Sequence, residues 1–549
     1  MKKSVLAFVA FFVFATSSAF AEHQCGTAQI MNFLNSKKYK NVKQAIAYTK
    51  AYARSASSGC TSKDYYDSVY SRTTKHFEIF YTLNGPHKTT VAHIDSLEKA
   101  LEYAWDFHVN KTGMLPPKGI SETHHYEKKV QDGLYPVEVI DIYLLRNYNA
   151  VMNSQCSTCF GLTIPFDNEE SEMLMENDFK HVSEANSIID TIKFNDKVCT
   201  YPRATEEFTN ETHNYSYAKN FMPALRVTSA HEMYHAVQFR YSSKMPQYNF
   251  WFEASASGVE ELAVPDVDDY FTYLPKLAGN VGFPYKNLDK PYGAGIFFLY
   301  LHNHVSHKTN RLIWENFSKA PTKTFQYQLD QVAKNQNLSA DSLFHDFAIR
   351  LSFTGNRSTL VDSAFWITSD QPRWPQFHTK SESGVFETAS LDNTAYYYHV
   401  NGSPDMSKFV GTASAIAIKP NAYTIRFLPS TNSIDSARTE FLRKSSVDSI
   451  LWVFSRFNEE TTIPTHLKDS TLRAYPTPWR HGALCFTPLP QNKDYIEIRN
   501  RRGNLVHKIK YDNYTHCLDE SEVKSLMVPG VYRFRAGNSG KLKDFIIVY

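Results

Sequence analysis

Each scarcity in this chain removes a class of protein. Glycine and proline are few, 21 and 24 among 549 residues, which excludes a collagen-like or low-complexity architecture. Neither sign of charge dominates: 59 Lys and Arg against 56 Asp and Glu leave +3, part of it carried by Lys2 and Lys3. No basic footprint for nucleic acid is present, and none is expected as a partner. Beyond the N-terminus no apolar run approaches the ~20 residues of a spanning helix, so membrane insertion is not expected. No internal repeat is visible. Cysteines number seven, an odd count.

What is abundant is aromatic. The chain holds 34 Tyr, 38 Phe and 7 Trp, which suits half-buried pleated surfaces and points to β-rich parts. Its length corresponds to about three domains. The N-terminus reads Met1-Lys2-Lys3, an apolar run from Val5 to Ala15, then Ala19-Phe20-Ala21. A basic start, a short apolar segment and a small-residue cleavage site describe a secretory signal peptide over 1–21. The mature protein is therefore expected to be secreted or periplasmic. Cys25 follows Glu22-His23-Gln24, which does not suit lipidation.

Export permits disulfides. Cys25 and Cys60 bracket a helix-patterned segment, and Cys485 with Cys517 form another candidate pair. Cys156, Cys159 and Cys199 remain, so one thiol is left over. Cys156-Ser-Thr-Cys159 has metal or redox spacing, but no second such pair exists and a disulfide is the favoured reading.

The pattern along the chain predicts a polar helical region over 22–71, a candidate prosegment. Strands are expected at His76–Leu83, Val137–Leu145, Gly161–Pro165 and Ser187–Ile192, with a helix at Asp95–Val109. Three further helices are expected, at Met222–Tyr241, Phe252–Ala263 and from Pro291 to about His304, with helical pattern to about Phe353. Thr368 to Glu387, with Pro372 and Pro375, reads as a linker. From 388 to 549 short strands separated by turn residues predict one or two antiparallel β-sandwich modules.

The chemistry concentrates in Thr228-Ser-Ala-His231-Glu232-Met-Tyr-His235-Ala-Val-Gln238. On a helix, His231 and His235 stand about 40° apart, so both imidazoles can reach one ion at ~2.0–2.1 Å. Glu232 lies beside that ion and suits a base for a metal-activated water. The flanking Ala224, Leu225, Val227, Ala236 and Val237 predict a buried helix, where such polar residues need a use. A tetrahedral site needs a third ligand. Glu253 stands 18 residues beyond His235, at the start of the next helix, in Trp251-Phe-Glu253-Ala-Ser-Ala-Ser-Gly-Val-Glu260-Glu261. Glu260, two turns on and on the same face, is the rival ligand, or else a buried partner of the site.

His-Glu-x-x-His followed by this Glu resembles the gluzincin zinc metallopeptidases. The resemblance is closer to a set of secreted bacterial metalloproteases with a His-Phe-x-Ile-x-Tyr strand, Thr-x-Ala-His-Glu-x-x-His-Ala-x-Gln-Phe, Trp-x-x-Glu-Ala-x-Ala and a Tyr-Gly-x-x-x-Phe helix. Here these are His76 to Tyr81, Thr228 to Phe239, Trp251 to Ala256 and Tyr292 to Phe297. The resemblance spans about residues 72–350. It implies a zincin-like metallopeptidase domain at 72–367, with a twisted sheet and active-site helices; with the linker read at 368–387 and the C-terminal β-sandwich region read at 388–549, the chain is expected to be α+β. It implies a hydrolase carrying one catalytic Zn²⁺ on His231, His235 and Glu253, with Glu232 as base and protein or peptide as substrate. In aminopeptidase-N-like members, a Tyr opening a Tyr-x-x-Gly helix hydrogen-bonds the oxyanion, a position that Tyr292 with Gly295 resembles; packing on the sheet is the other reading of Tyr292. No Gly-x-Met-Glu-Asn strand is present to anchor a free amine. Gly161–Pro165 stands in the equivalent place without that Glu, which favours endopeptidase action.

Other candidates read as structural. His302, His304 and His307 suit a helix end, and His124-His125 lie in a charged loop. Asp266, Asp268 and Asp269 suit Ca²⁺ in residue type but lack an EF-type loop. The rival function is a non-catalytic secreted surface or polysaccharide-binding protein, with the zincin domain as scaffold and the C-terminal β region as the contact. The ending, Pro529-Gly-Val-Tyr-Arg-Phe-Arg followed by Lys541 to Tyr549, resembles C-terminal sorting modules of some bacterial secretion systems.

Overall fold

The computed structural model describes Thr27, residues 68–142, 159–181, 188–207, 221–241, 249–278, 291–381, 384–418, 449–457 and 472–548, several of these stretches with short interruptions. The expected leader, most of the expected helical head, Cys25, Cys60 and Cys156 lie outside the described residues. The chain forms two compact units, Met1–Glu460 and Thr461–Tyr549. It is a mixed α+β protein with several sheets.

In the first unit a six-stranded sheet is built from β1 (Tyr70–Thr73), β2 (Phe77–Tyr81), β3 (Lys118–Gly119), β4 (Tyr135–Ile140), β5 (Gly161–Pro165) and β6 (Glu170–Glu176). Its order is β1-β2-β4-β6-β3, with β5 also paired to β6. The β2–β4, β4–β6 and β3–β6 pairs are parallel, whereas β1 and β5 run antiparallel to their neighbours. β2 and β4 are buried at every position, as strands of a sheet covered on both faces must be. α1 (Val91–Trp105) starts where the Thr90 side chain accepts from the His93 amide, and buries Ile94, Leu97, Leu101 and Ala104 at helical spacing.

β7 (Lys180–His181) pairs antiparallel with β10 (Glu206–Glu207), and β8 (Ile188–Phe194) with β9 (Lys197–Arg203). Two helices then carry the candidate site, α2 (Phe221–Phe239) and α3 (Asn249–Ala263). α2 packs against α1, α3, β5 and β6. The body continues through α4 (Leu274–Ala278), α5 (Gly295–Tyr300), α6 (Thr309–Lys319), α7 (Phe325–Ala333) and α8 (Ala340–Leu351). α3 and α5 touch backbone to backbone. A Cβ on Gly258 would lie 2.5 Å from the Gly295 carbonyl, and one on Gly295 2.7 Å from the Gly258 amide, so neither position can hold a side chain. Trp251 of α3 stacks on Phe325 of α7 at 4.4 Å. Full burial of a large apolar side chain of this kind is worth about 3 kcal/mol.

The late strands do not separate where the change in sequence texture predicts. β13 (Ala395–Val400), β15 (Thr412–Ile418) and β16 (Ser449–Arg456), with β11 (Lys380–Ser381), form a sheet inside the first unit, and β12 (Val385–Glu387) pairs with β14 (Ser403–Asp405). Tyr396, Tyr398, Ile416, Leu451 and Val453 join the same core as the helices. His345 of α8 bridges Ser455 and Ser414 at 2.6 and 2.7 Å, and the Tyr398 hydroxyl donates to the Ala348 carbonyl at 2.8 Å. The expected linker at 368–387 is also part of this body over Gln371–Phe377, because Trp374 and Phe377 are apolar enough to sit in its core despite the flanking prolines.

The second unit has two antiparallel sheets: β17 (Arg473–Tyr475), β18 (Leu484–Thr487) and β21 (His516–Leu518) in one, and β19 (Tyr495–Asn500), β20 (Leu505–Lys510), β22 (Gly530–Ala536) and β23 (Lys543–Ile547) in the other. Phe486, Trp479, Phe534, Phe545 and Val523 of the short α9 (Glu520–Leu526) meet in one core between them.

Candidate metal centre

From Val227 to Phe239 every residue of α2 is buried. A helix enclosed all round cannot turn polar groups to solvent, so each of its polar side chains needs a partner inside the protein. His231 and His235 lie side by side, ring centroids 4.5 Å apart. Their Nδ1 atoms are both occupied: His231 Nδ1 pairs with Glu260 Oε1, and His235 Nδ1 with Gln238 Oε1 at 2.7 Å. The Phe252 ring lies flat on His235, at 4.4 Å and 3°. These contacts fix both rings with Nε2 directed at α3.

There Glu253 waits, fully buried. Its Oε2 is 3.4 Å from His231 Nε2 and its Oε1 3.5 Å from His235 Nε2. One ligand atom from each of the three residues falls within 4.8 Å of the others. Burial by itself would raise the Glu253 carboxyl, but the two imidazoles facing it hold it down at about 2. Both Glu253 oxygens and His235 Nε2 are buried without a hydrogen-bond partner. With Nδ1 taken up by Glu260 and by Gln238, both imidazoles turn Nε2 toward the Glu253 carboxylate. That arrangement is balanced by a cation between them, and N₂O donors suit Zn²⁺. The residues present therefore fit the ion.

Glu232 follows His231 on the same helix and reaches the sheet edge instead. Its Oε2 accepts from the Thr163 hydroxyl of β5 at 2.8 Å and from the Thr27 hydroxyl at 3.3 Å. The Thr163 amide in turn donates to Thr27 Oγ1 at 2.8 Å. β5 comes this close only because residue 161 is glycine, where a Cβ would sit 2.6 Å from Glu232 Cγ.

Behind His231 stands a chain of acids. Glu260 is pushed up by burial, with His231 opposing, and Asp269 is pushed well above the carboxylate range by burial and by Glu260. Glu260 thus contacts the Nδ1 side of His231, while Glu253 faces Nε2. Tyr292 opens a short 3-10 turn before α5, its ring 6.3 Å from that of His231 and stacked 5.0 Å from Tyr273.

The other sequence candidates go elsewhere. His302 pairs with His307 at 3.0 Å, and His304 with the Trp366 carbonyl at 2.7 Å. His125 joins Glu138 and Glu172 as a second group with ligand-type atoms in range. Glu138, however, accepts from the His125 ring and from the amides of His125 and Tyr126, so these acids anchor a loop to the sheet. Asp266, Asp268 and Asp269 are not brought together: Asp266 is held by Arg226 at 2.7 Å, Asp268 by Arg373 at 2.8 Å, and Asp269 lies near Glu260. Gln238 and Thr163 have no role in the sequence reading. Gln238 could be found from its spacing, three residues past His235 on one face; Thr163 has no such signal.

No family model matches the chain, and no curated protein matches it. A solved structure titled "Structural and functional probing of PorZ, an essential bacterial surface component of the type-IX secretion system of human oral-microbiomic Porphyromonas gingivalis" is similar at 14% identity over 18% of this chain and 14% of that one, with a TM-score of 0.13. A likeness of that extent carries no argument about fold or function.

Among the described residues no helix is long and apolar enough to cross a membrane. Cys159 and Cys199 are disulfide-bonded, and Cys485 and Cys517 are cross-strand partners of β18 and β21.

Proposed function

We propose that this protein is an exported zinc metallopeptidase of the zincin-like class, acting as an endopeptidase on protein substrates. The observation that carries this reading is the convergence of His231, His235 and Glu253 around one buried point, with unpartnered oxygens and a ring nitrogen turned toward it. His231, His235 and Glu253 would hold the ion. When bound there, Zn²⁺ supplies Lewis acidity toward a carbonyl and lowers the pKa of water.

The chain's own groups do the rest. Glu232, seated by Thr163, accepts the water's proton and returns it to the departing amine. Tyr292 is the donor assigned to the oxyanion. The edge of β5 offers backbone groups to an extended peptide, as sheet edges do in strand-addition binding. β5 carries no acid to hold a free N-terminus, in keeping with cleavage inside a chain. Thr27 bonds both the Thr163 amide and Glu232, a contact that supports reading the segment 22–71 as a prosegment. The signal-peptide pattern and the disulfide-bonded state of Cys159 and Cys199 support export.

The test is Glu232→Gln in the zinc-loaded mature chain, assayed on a casein panel. Turnover should fall by about 10²–10⁴-fold while metal analysis still finds one zinc per chain. Wild-type cleavage by that variant, or wild-type protein that holds no zinc, overturns the reading.

A further inference from the structure

A second cation site is marked out by side chains that the peptidase reading does not use. Glu261 is the neighbour of Glu260 near the end of α3, yet it turns away from the histidines. One oxygen each from Glu261, Asp268 and Asp370 lie within 4.8 Å of one another. Glu261 is only 7% exposed, and its Oε2 is buried with no hydrogen-bond partner. The aspartate side chains are 19% and 20% exposed, so water can reach the cluster from one side.

Among the described residues the cluster's counter-charge is Arg373. Its Nη2 donates to Asp268 Oδ2 at 2.8 Å and to Asp370 Oδ1 at 2.6 Å. One guanidinium against three carboxylates leaves the cluster two charges short, and this guanidinium belongs to a side chain that is 53% exposed.

We infer that Glu261, Asp268 and Asp370 form a Ca²⁺ site that ties the end of α3 to the turn at Gln371–Arg373. The donors are all oxygen, which disfavours zinc or copper, and an open, partly hydrated carboxylate set suits the 6–8 flexible oxygen ligands of calcium better than the strict octahedron of magnesium. An affinity of about 10⁻⁴–10⁻³ M, the range of extracellular calcium modules, is expected from so few protein ligands. Its effect reaches the candidate metal centre through α3, which carries Glu253 and Glu260.

Terbium luminescence tests this in the full mature chain. Tyr270 and Trp374 lie beside the cluster, the Trp374 ring N–H donating to the Tyr270 hydroxyl at 3.0 Å, and can sensitise a bound Tb³⁺. Saturable Tb³⁺ emission should be displaced by millimolar Ca²⁺ but not by equal Mg²⁺, and Ca²⁺ should raise the Tm. Glu261→Gln and Asp370→Asn should each weaken Ca²⁺ by about tenfold or more, while His235→Ala should leave it unchanged. Asp370 is partly exposed, so D370N keeps the test valid even where E261Q fails to fold. Absence of saturable binding at 10⁻³ M Ca²⁺, equal displacement by Mg²⁺, or unchanged affinity in D370N overturns the assignment.

Discussion

The two units bury different things. The interior of Met1–Glu460 holds His231, Glu232, His235, Glu253, Glu260 and Asp269 in one neighbourhood, with Glu138, Glu172 and Glu176 in its sheet. In Thr461–Tyr549 the described residues bury a single charged side chain, Glu497, which Arg499 and Arg535 answer at 3.1 and 2.9 Å. Buried charge is costly unless compensated. The acids of the sheet are compensated by loop amides and Glu497 by arginines, so those groups are explained by the fold they hold. Among the described residues Glu253 is faced by the Nε2 atoms of His231 and His235 and its oxygens make no hydrogen bond, the arrangement that the proposed zinc would complete. Burial alone does not mark a site; burial without a local partner does.

The sharpest way to break that contrast is to neutralise one acid in each unit. Glu253→Gln should weaken zinc by at least about 100-fold and abolish hydrolysis, while the first unit stays folded. Glu497→Gln should leave zinc content and turnover untouched and lower only the unfolding midpoint of the second unit. Zinc binding of wild-type strength in E253Q would remove the distinction between the two kinds of buried acid.

A smaller effect concerns the cysteines. Cys485 and Cys517 stand directly opposite in an antiparallel pair, where Cα atoms lie about 4.5–5.5 Å apart, within disulfide range. Closing a loop of this size contributes up to about 3–4 kcal/mol in the chain-entropy model. Non-reducing peptide mapping should find this link, and a Cys485→Ser, Cys517→Ser double variant should lower the second unit's midpoint alone. Reductant should affect both units, since Cys159 and Cys199 are disulfide-bonded in the first. Equal shifts of both units in the double variant would show that the two are not independent.

Much of the centre was legible because its spacing is helical: His231, Glu232 and His235 need only a period of 3.6, and Glu253 only a turn and a return. β6 was not legible. Glu170-Ser-Glu-Met-Leu-Met-Glu176 has neither the alternation of a half-buried strand nor the apolar run of a covered one, yet it lies inside the sheet. Its acids are tolerated because the amides of His124 and Ile142 donate to Glu172 and Glu176 at 3.0 and 2.9 Å, bonds across long separations that no local pattern encodes. The boundary near 388 has the same origin. Strand periodicity reports that Tyr396 and Tyr398 share a face, but not that this face packs on α8. The grouping of Asp268 with Asp370 rather than with Asp266 is equally a product of tertiary contact.

The smallest expected effect probes that packing. His345 is held neutral, its pKa lowered to about 4 chiefly by burial, with the neighbouring Asp346 opposing. In the unfolded chain it titrates near 6.5, so between pH 6.5 and about 4 the unfolded state takes up a proton that the folded state refuses. Its contribution is therefore complete above pH 6.5 and is lost as the pH falls through that window. Between pH 6.5 and 5 the loss amounts to roughly 2 kcal/mol. His345→Gln keeps a polar group between Ser414 and Ser455 but cannot titrate. It should be less stable than wild type at pH 7, and the difference should shrink by about that 2 kcal/mol at pH 5. The second unit's transition should ignore the substitution at both pH values. If the gap between variant and wild type stays constant across the window, His345 is not buried neutral, and the α8 joint to β15 and β16 is looser than its two serine contacts require.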